Sequence, residues 1–244
     1  MPVHADIAAL VARLRAAPLT RFVALGSSNT ERAAHAEGAH NWFDWFDVGL
    51  RGTCGRVHHC VNAGVSGEST RELLARFERD VAFYRPQAVF LTVGGNDANP
   101  PTAMEEPEYR ANLADLVRRV RRLPDGGGIP ILQTYYSFDA ERIEPAYASR
   151  FLRYMEVVRE VAAATGTALI DNLVRWETLR RREPAAYRAL MRDPLHVKPL
   201  GNLLWGADLC RVFAAPLNPA DVPAAQPGLE LQRRVDALTG GDAS

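Results

Sequence analysis

The chain has 244 residues with 29 basic and 29 acidic side chains, so its net charge is zero. Balanced charge gives no general attraction to nucleic acid or to an anionic membrane, and neither is an expected partner. With 47% hydrophobic and 24% charged residues, the composition is that of a globular protein long enough to bury a core without disulfides or metal.

Three cysteines, Cys54, Cys60 and Cys210, form no CxxC pair and are odd in number. A disulfide framework or a cysteine-based zinc site is therefore not expected. The first 18 residues lack the apolar stretch of a signal peptide, and their apolar positions recur at helical spacing, which predicts a short amphipathic helix. We expect the protein to reside in the cytoplasm.

Five short apolar runs rich in Val, Ile, Leu and Phe predict buried strands. They occupy residues 21–26, 56–63, 88–94, 129–135 and 167–171. Stretches with helical periodicity separate them, at residues 42–50, 69–81, 109–122 and 145–164. Strands that alternate with helices predict right-handed crossovers and an α/β fold whose parallel sheet is covered on both faces.

The whole chain, residues 1–244, is expected to form a single domain with a core of about residues 20–215. The N-terminal helix and a C-terminal extension are expected to pack on this core. The extension, from Pro216 onward, is rich in proline and alanine, and this composition predicts a segment that wraps the surface or frays.

Loops that follow the predicted strands are the expected place for a site, because ligands bind at the carboxyl ends of the strands in such a sheet. The first strand is followed by Ser27, Ser28, Asn29 and Thr30. A serine at a strand-to-helix turn can expose its hydroxyl as a nucleophile. The same residue types are preferred helix caps, so this loop alone leaves both interpretations open.

The second and third loops carry glycine and asparagine. Residues 62–70 include Gly67, whose backbone N–H can face a ligand without a side chain in the way. Residues 94–97 read Gly-Gly-Asn-Asp, and the side chain of Asn96 can donate a hydrogen bond to a developing oxyanion. Ordinary turns use the same residue types, so each loop alone is also explained as a turn.

Asp193 and His196 lie three residues apart in a loop that contains Pro194 and precedes Pro199. A carboxylate at this spacing can hold the imidazole of His196 in one tautomer and leave the other ring nitrogen free to act as a base. A single histidine is more often a structural residue, so this pair indicates a catalytic site only in combination with the other loops.

The four loops together resemble the motifs of the SGNH hydrolases, also called GDSL-like esterases and lipases, over most of the chain. The residues at the motif positions are, in chain order, Ser28 as the nucleophile, Gly67, Asn96, and the pair Asp193 and His196 of the D-x-x-H motif. The resemblance implies a flavodoxin-like three-layer α/β/α sandwich with a five-stranded parallel sheet. It also implies ester hydrolysis by serine without metal or cofactor.

The resemblance further implies a catalytic role for each of these residues. Ser28 attacks an ester carbonyl, His196 takes the proton, and Asp193 orients His196. The oxyanion hole consists of the backbone N–H groups of Ser28 and Gly67 and the side-chain amide of Asn96.

One residue departs from the family pattern, because Ser27 stands where the family usually has an aspartate before its serine. That aspartate is not a member of the triad, so the chemistry is expected to survive its replacement. The change leaves two adjacent serines. We expect Ser28 to be the nucleophile and Ser27 to point away from His196.

Small acyl esters, such as acetyl esters, are the expected substrates, because the sequence shows no long apolar lid. Tyr135 and Tyr136 end the fourth predicted strand and are expected to form a lip of the substrate pocket. His35 and His40 follow the candidate nucleophile and are candidates to line the same pocket.

Two other functions stay open at this stage. An acyltransferase could use the same triad for O-acetyl transfer, and a non-catalytic module could bind carbohydrate or nucleotide on the same type of fold. No metal or cofactor is expected. His58, His59 and Cys60 cannot all converge on one ion, because adjacent strand residues point to opposite faces.

Overall fold

One five-stranded sheet organises the protein, and the computed structural model describes residues 4–16, 18–32, 36–102 and 104–240. The strands are β1 (Thr20–Gly26), β2 (His58–Gly64), β3 (Ala88–Thr92), β4 (Ile129–Gln133) and β5 (Ala168–Ile170). Their order across the sheet is β2-β1-β3-β4-β5, and each neighbouring pair is parallel. This is the flavodoxin-like order.

Helices cover both faces of the sheet. They are α1 (Ala5–Arg15), α2 (Trp42–Cys54), α3 (Thr70–Ala75), α4 (Phe77–Asp80), α5 (Gly95–Ala98), α6 (Glu106–Arg121), α7 (Pro145–Thr165), α8 (Asn172–Arg182), α9 (Pro184–Leu190), α10 (Pro199–Val212) and α11 (Gln226–Gly240). Helices α2 and α10 pack against each other, and α6 packs against α3 and α7. The predicted α/β/α sandwich with five parallel strands is confirmed.

Aromatic side chains form much of the core between the sheet and α2. Phe22 of β1 and Phe90 of β3 are fully buried and both contact the ring of Phe46 in α2. Trp42 of the same helix stacks on Trp205 of α10, with ring centroids 5.0 Å apart. The aromatic residues at the start of α2 therefore form the face of this helix that packs in the core.

The register of the strands brings the predicted loops together. Gly26, the last residue of β1, pairs with Gly64 at the end of β2 and with Thr92 at the end of β3. Consequently, the first three loops leave the sheet side by side at its carboxyl edge. A Cβ on Gly64 would lie 2.3 Å from the backbone nitrogen of Glu31, so only glycine permits this close approach.

Two predicted segments differ in the structure. The single helix predicted over residues 69–81 is two short helices, α3 and α4, interrupted at Arg76. The C-terminal extension, predicted to wrap the surface or fray, contains α11, which packs on α8 and α10. No helix in the described ranges combines the length and the apolar character needed to cross a membrane.

Candidate active site

The first loop forms a tight turn over residues 27–30, which we call the nucleophile turn. The carbonyl of Ser27 accepts hydrogen bonds from the backbone N–H groups of Thr30 and Glu31, each at 2.9 Å. The strand-to-helix turn expected here is wrong in one respect, because the next helix among the described residues begins at Trp42. The turn therefore takes its shape from its own backbone bonds and from contacts with neighbouring loops.

Ser28, His196 and Asp193 form a continuous chain of hydrogen bonds. The Oγ of Ser28 lies 2.9 Å from Nε2 of His196, and Nδ1 of His196 lies 2.9 Å from both carboxylate oxygens of Asp193. In the tautomer that satisfies all three groups, Ser28 donates to Nε2 and His196 donates from Nδ1 to Asp193. This arrangement lets His196 accept the proton of Ser28 while Asp193 holds the ring in place.

The loop of residues 193–196, which we call the histidine loop, is folded around the carboxylate of Asp193. Its Oδ1 accepts the backbone N–H groups of Leu195 at 2.8 Å and of His196 at 2.9 Å. Burial alone would raise the pKa of Asp193, but these bonds and the His196 ring outweigh it and hold the pKa below its usual value. The carboxylate is therefore ionised at neutral pH.

Ser27 has a different partner from Ser28. Its Oγ lies 3.0 Å from the hydroxyl of Tyr135, and both side chains are buried. The Tyr135 hydroxyl also lies 3.3 Å from the carbonyl of Thr92. The structure thus brings Ser28 to His196 and pairs Ser27 with a tyrosine of the β4 loop.

Ser28, Gly67 and Asn96 line one cleft of about 240 Å³, together with His196. The Nδ2 group of Asn96 donates one hydrogen bond to the carbonyl of Glu68 at 2.8 Å, and its second hydrogen is available to a ligand. Gly67 has a φ of +81°, a conformation that side-chain-bearing residues rarely adopt. The residues that carry the three predicted donors therefore all border this cleft.

Asp97 supports this arrangement, although the sequence suggested only a turn residue. Its buried Oδ1 accepts the backbone N–H of Thr70 at 2.8 Å and the hydroxyl of Thr70 at 2.6 Å. Burial raises the pKa of Asp97, although the bonds from Thr70 oppose that rise. Asp97 thus fastens the loop that carries Asn96 to the start of α3.

Arg76 is a second supporting residue that the sequence did not reveal. Its buried guanidinium donates to the carbonyls of Gly26 and Ala63, at 3.1 and 2.9 Å, and forms ion pairs with Glu68 and Asp80. It therefore joins the ends of β1 and β2 to the loop that carries Gly67. An arginine among many in the sequence gives no signal for such a role.

Aromatic side chains wall the cleft. Tyr135, Phe138 and Tyr147 border it, and the ring of Phe138 stacks on Phe151 with centroids 3.8 Å apart. Tyr135 thus lies at the pocket as expected. The expectation for Tyr136 is wrong, because this side chain is fully buried and is not among the residues that line the cleft.

The histidines after the nucleophile turn are placed differently. His35 lies outside the described residues. His40 packs edge-on against Trp45 and borders a separate surface depression, so it does not line the cleft. A residue of the same region that does reach the site is Trp42, whose indole N–H donates to the carbonyl of Asn29 at 3.0 Å.

The adjacent histidines that were considered as metal ligands point to opposite faces of β2 as predicted, with His58 buried and His59 exposed. His58 and Cys60 nevertheless share a face, and their ligand atoms lie with that of Asp47 within 4.8 Å of one another. Hydrogen bonds from His58 and Arg51 outweigh burial and lower the pKa of Asp47 to about 2. This cluster lies at the start of β2, whereas the cleft lies beyond its other end, and the absence of a metal remains a prediction.

Comparison with known proteins identifies the family. The profile of the GDSL-like Lipase/Acylhydrolase family matches residues 24–204. The chain belongs to this family. The resemblance seen in its motifs is therefore confirmed.

Two relatives of this chain carry the names of esterases. An acetylxylan esterase of Geobacillus stearothermophilus is 30% identical over 162 residues, covering 63% of this chain and 69% of that protein. The isoamyl acetate-hydrolyzing esterase 1 homolog of Mus musculus is 27% identical over 202 residues, covering 70% of this chain and 78% of that protein. This family member is a carboxylic ester hydrolase, which decides against a non-catalytic binding module.

Solved structures agree on the fold. The crystal structure of the Geobacillus acetylxylan esterase superposes with a TM-score of 0.68 at 22% identity, covering 80% of this chain and 94% of that chain. A lipase/acylhydrolase of Enterococcus faecalis gives a TM-score of 0.64 at 25% identity, covering 79% of this chain and 94% of that chain. Solved variants of the Geobacillus enzyme include catalytic mutants of a serine, an aspartate and a histidine.

Proposed function

We propose that the protein hydrolyses esters of small acyl groups, such as acetyl, with Ser28 as nucleophile, His196 as base and Asp193 as the residue that orients it. The observation that carries the proposal is the 2.9 Å approach of Ser28 Oγ to His196 Nε2, with Asp193 behind the ring. In the Geobacillus esterase the catalytic aspartate and histidine are also three positions apart, which supports the assignment.

Acylation begins when Ser28 Oγ forms a bond to the ester carbonyl carbon and its proton passes to Nε2 of His196. The carbonyl oxygen becomes an oxyanion that accepts hydrogen bonds from the N–H groups of Ser28 and Gly67 and from Asn96. The bond from carbon to the alcohol oxygen then breaks, and His196 gives the proton to the leaving alcohol. Asp193 stabilises the imidazolium that exists between these steps.

Water completes the cycle. His196 takes a proton from a water molecule, whose oxygen bonds to the acyl carbon of the acyl-enzyme. The bond between this carbon and Ser28 Oγ breaks, and the proton returns to Ser28. The products are the free acid and an enzyme with its original protonation, so the cycle needs no cofactor.

The preference for small acyl groups is supported by the size and walls of the cleft. Its volume of about 240 Å³ is bordered by Tyr135, Phe138 and Tyr147, which are all buried in the core. Their packing resists the displacement that a long acyl chain would require. The names of the two esterase relatives, which refer to acetylated xylan and to isoamyl acetate, point to the same acyl group.

Short esters are expected to be hydrolysed with a higher kcat/KM than long ones, because the buried aromatic walls limit the space for an acyl chain in the cleft. A series of nitrophenyl esters from acetate to palmitate measures this preference. Acetylated sugars then test whether the preference extends to natural acetyl esters. A maximum at ten carbons or longer would contradict the small-acyl proposal.

Extensive dialysis against EDTA is expected to leave the rate of ester hydrolysis unchanged, because His196 activates Ser28 without a metal. Activity and melting temperature are measured on the same dialysed sample. A fall in melting temperature alone would point to an ion at Asp47, His58 and Cys60, remote from the cleft. Loss of activity that zinc or manganese restores would overturn the serine mechanism.

A cytoplasmic location is also part of the proposal. Cys54, Cys60 and Cys210 are all unpaired in the described structure. Unpaired thiols are typical of proteins from reducing compartments. Burial raises the pKa of Cys60 and Cys210, which disfavours their thiolate forms.

A further inference from the structure

Ser28 and His196 are separated by 168 positions in the chain, yet proton transfer requires their side chains to be in register within a fraction of an ångström. We propose that Tyr136 is the positioning residue that holds the histidine loop against the nucleophile turn. This inference rests on the proposed function, because it concerns the alignment of the same Ser28 and His196.

The hydroxyl of Tyr136 lies between the immediate neighbours of the two reacting side chains. It donates to the carbonyl of Leu195 at 2.6 Å, and it also contacts Oδ1 of the Asn29 side chain. Leu195 precedes His196, and Asn29 follows Ser28. A single hydroxyl thus connects the backbone of the histidine loop with the nucleophile turn.

A phenol has one hydrogen to donate and lone pairs with which to accept. The Asn29 atom that faces the hydroxyl is Oδ1, and one hydrogen cannot be donated both to this oxygen and to the carbonyl of Leu195. A half-turn of the Asn29 amide brings Nδ2 to the hydroxyl, so that Tyr136 donates to Leu195 and accepts from Asn29. Burial raises the pKa of Tyr136 well above its ordinary value, so the hydroxyl keeps its hydrogen throughout the usual pH range.

The ring that carries this hydroxyl is itself held in place. It packs against Trp176 and Trp205, with centroids 5.3 and 5.4 Å away. Three residues later, the backbone N–H of Asp139 donates to the carbonyl of Pro194 at 2.9 Å. The segment after β4 therefore contacts the histidine loop through Tyr136 and Asp139, and of these two residues Tyr136 also reaches the nucleophile turn, at Asn29.

Tyr136 contacts the site only through its neighbours, because it is fully buried and does not border the cleft. Removal of its hydroxyl should therefore leave substrate binding intact and reduce the fraction of time in which Ser28 and His196 are aligned. The expected result for Tyr136→Phe is a kcat about tenfold lower with KM unchanged. The ring and its packing remain, so the fold is retained.

Active sites are titrated with a fluorophosphonate, and kcat is expressed per labelled serine. The rate constant of labelling is measured as well, since attack on phosphorus also depends on His196. A merely structural role would lower the melting temperature or the labelled fraction and leave kcat per labelled site unchanged, which would overturn the proposal. Tyr136→Phe is expected to lower both kcat per site and the labelling rate constant.

Tyr154→Phe is the matched control. Tyr154 is also buried and does not line the cleft, and its hydroxyl donates to one backbone carbonyl, that of Met104, at 2.6 Å. This variant loses a comparable bond away from the cleft, so its kcat per labelled site should equal that of the unaltered protein. An equal fall in both variants would contradict a specific role for Tyr136.

Asn29→Ala removes the other half of the connection and serves if Tyr136→Phe does not fold. It should slow labelling by a similar factor, and when both variants fold, the double variant should be no slower than either single one. Unchanged labelling in a folded Asn29→Ala protein, or simple additivity, would overturn the inference. If the unaltered protein neither hydrolyses acetyl esters nor reacts with the probe, the proposed function itself has failed.

Discussion

Replacement of Ser28 by alanine is expected to lower kcat on the order of a thousandfold or more, as the loss of a triad nucleophile does. The reason is that Ser28 Oγ is the oxygen placed 2.9 Å from Nε2 of His196. Hydrolysis of nitrophenyl acetate and covalent labelling by a fluorophosphonate measure the loss. Both should disappear in Ser28→Ala while the melting temperature stays close to its original value.

The neighbouring serine supplies the control. Ser27→Ala removes a bond to the Tyr135 hydroxyl but leaves the path from Ser28 to His196 intact, so most activity should remain. Ser27→Asp should also be tolerated, because the Tyr135 hydroxyl can donate to a carboxylate. Peptide mapping of the labelled protein identifies the modified serine. An adduct on Ser27, or an active Ser28→Ala protein, would show that the nucleophile is one residue earlier.

Asn96→Ala is expected to lower kcat about a hundredfold or more with little change in KM, because an oxyanion donor contributes about 3 kcal/mol that is realised mainly in the transition state. The second hydrogen of the Asn96 amide is the one available for this purpose, since the first is bonded to Glu68. Asn96→Asp should be no better, because a carboxylate repels the oxyanion.

A second asparagine serves as a control that distinguishes donation to the oxyanion from structural support. Asn112 donates from its side-chain amide to the hydroxyl of Thr70 at 3.1 Å and does not line the cleft. Asn112→Ala should keep a nearly normal kcat. A nearly normal kcat in Asn96→Ala would instead return Asn96 to the role of a turn residue.

The sheet and the candidate site could be predicted from the sequence because each signal is local. Residues 22–25 form an apolar run that is entirely buried in β1. The end of this run marks the end of the strand, and Ser28 lies in the loop that follows. Asn96 likewise follows the buried strand β3, whereas Gly67 follows β2, which is mostly half-buried, at the same edge of the sheet. The pairing of Gly26 with Gly64 and Thr92 then places these loops side by side without further information.

The supporting residues could not be predicted, because their roles arise from contacts between distant segments. Arg76 lies between the apolar positions of a helical pattern, and this pattern predicts one helix over residues 69–81. In the structure the helix is interrupted there, and the guanidinium turns inward to the carbonyls of Gly26 and Ala63. Tyr136 similarly depends on Asn29 and Leu195, which no spacing in the sequence connects with it.

The long separation between Ser28 and His196 has a consequence for how activity arises during synthesis. The last strand of the sheet, β5, ends at Ile170, so all five strands have been made before Asp193 and His196 are added. Helix α10, which packs on α2, follows later still. Any framework that forms from the strands alone therefore lacks the base His196. Onset of ester hydrolysis during translation or refolding therefore times the docking of the C-terminal region, and comparison with the onset of helical circular dichroism distinguishes that event from assembly of the framework.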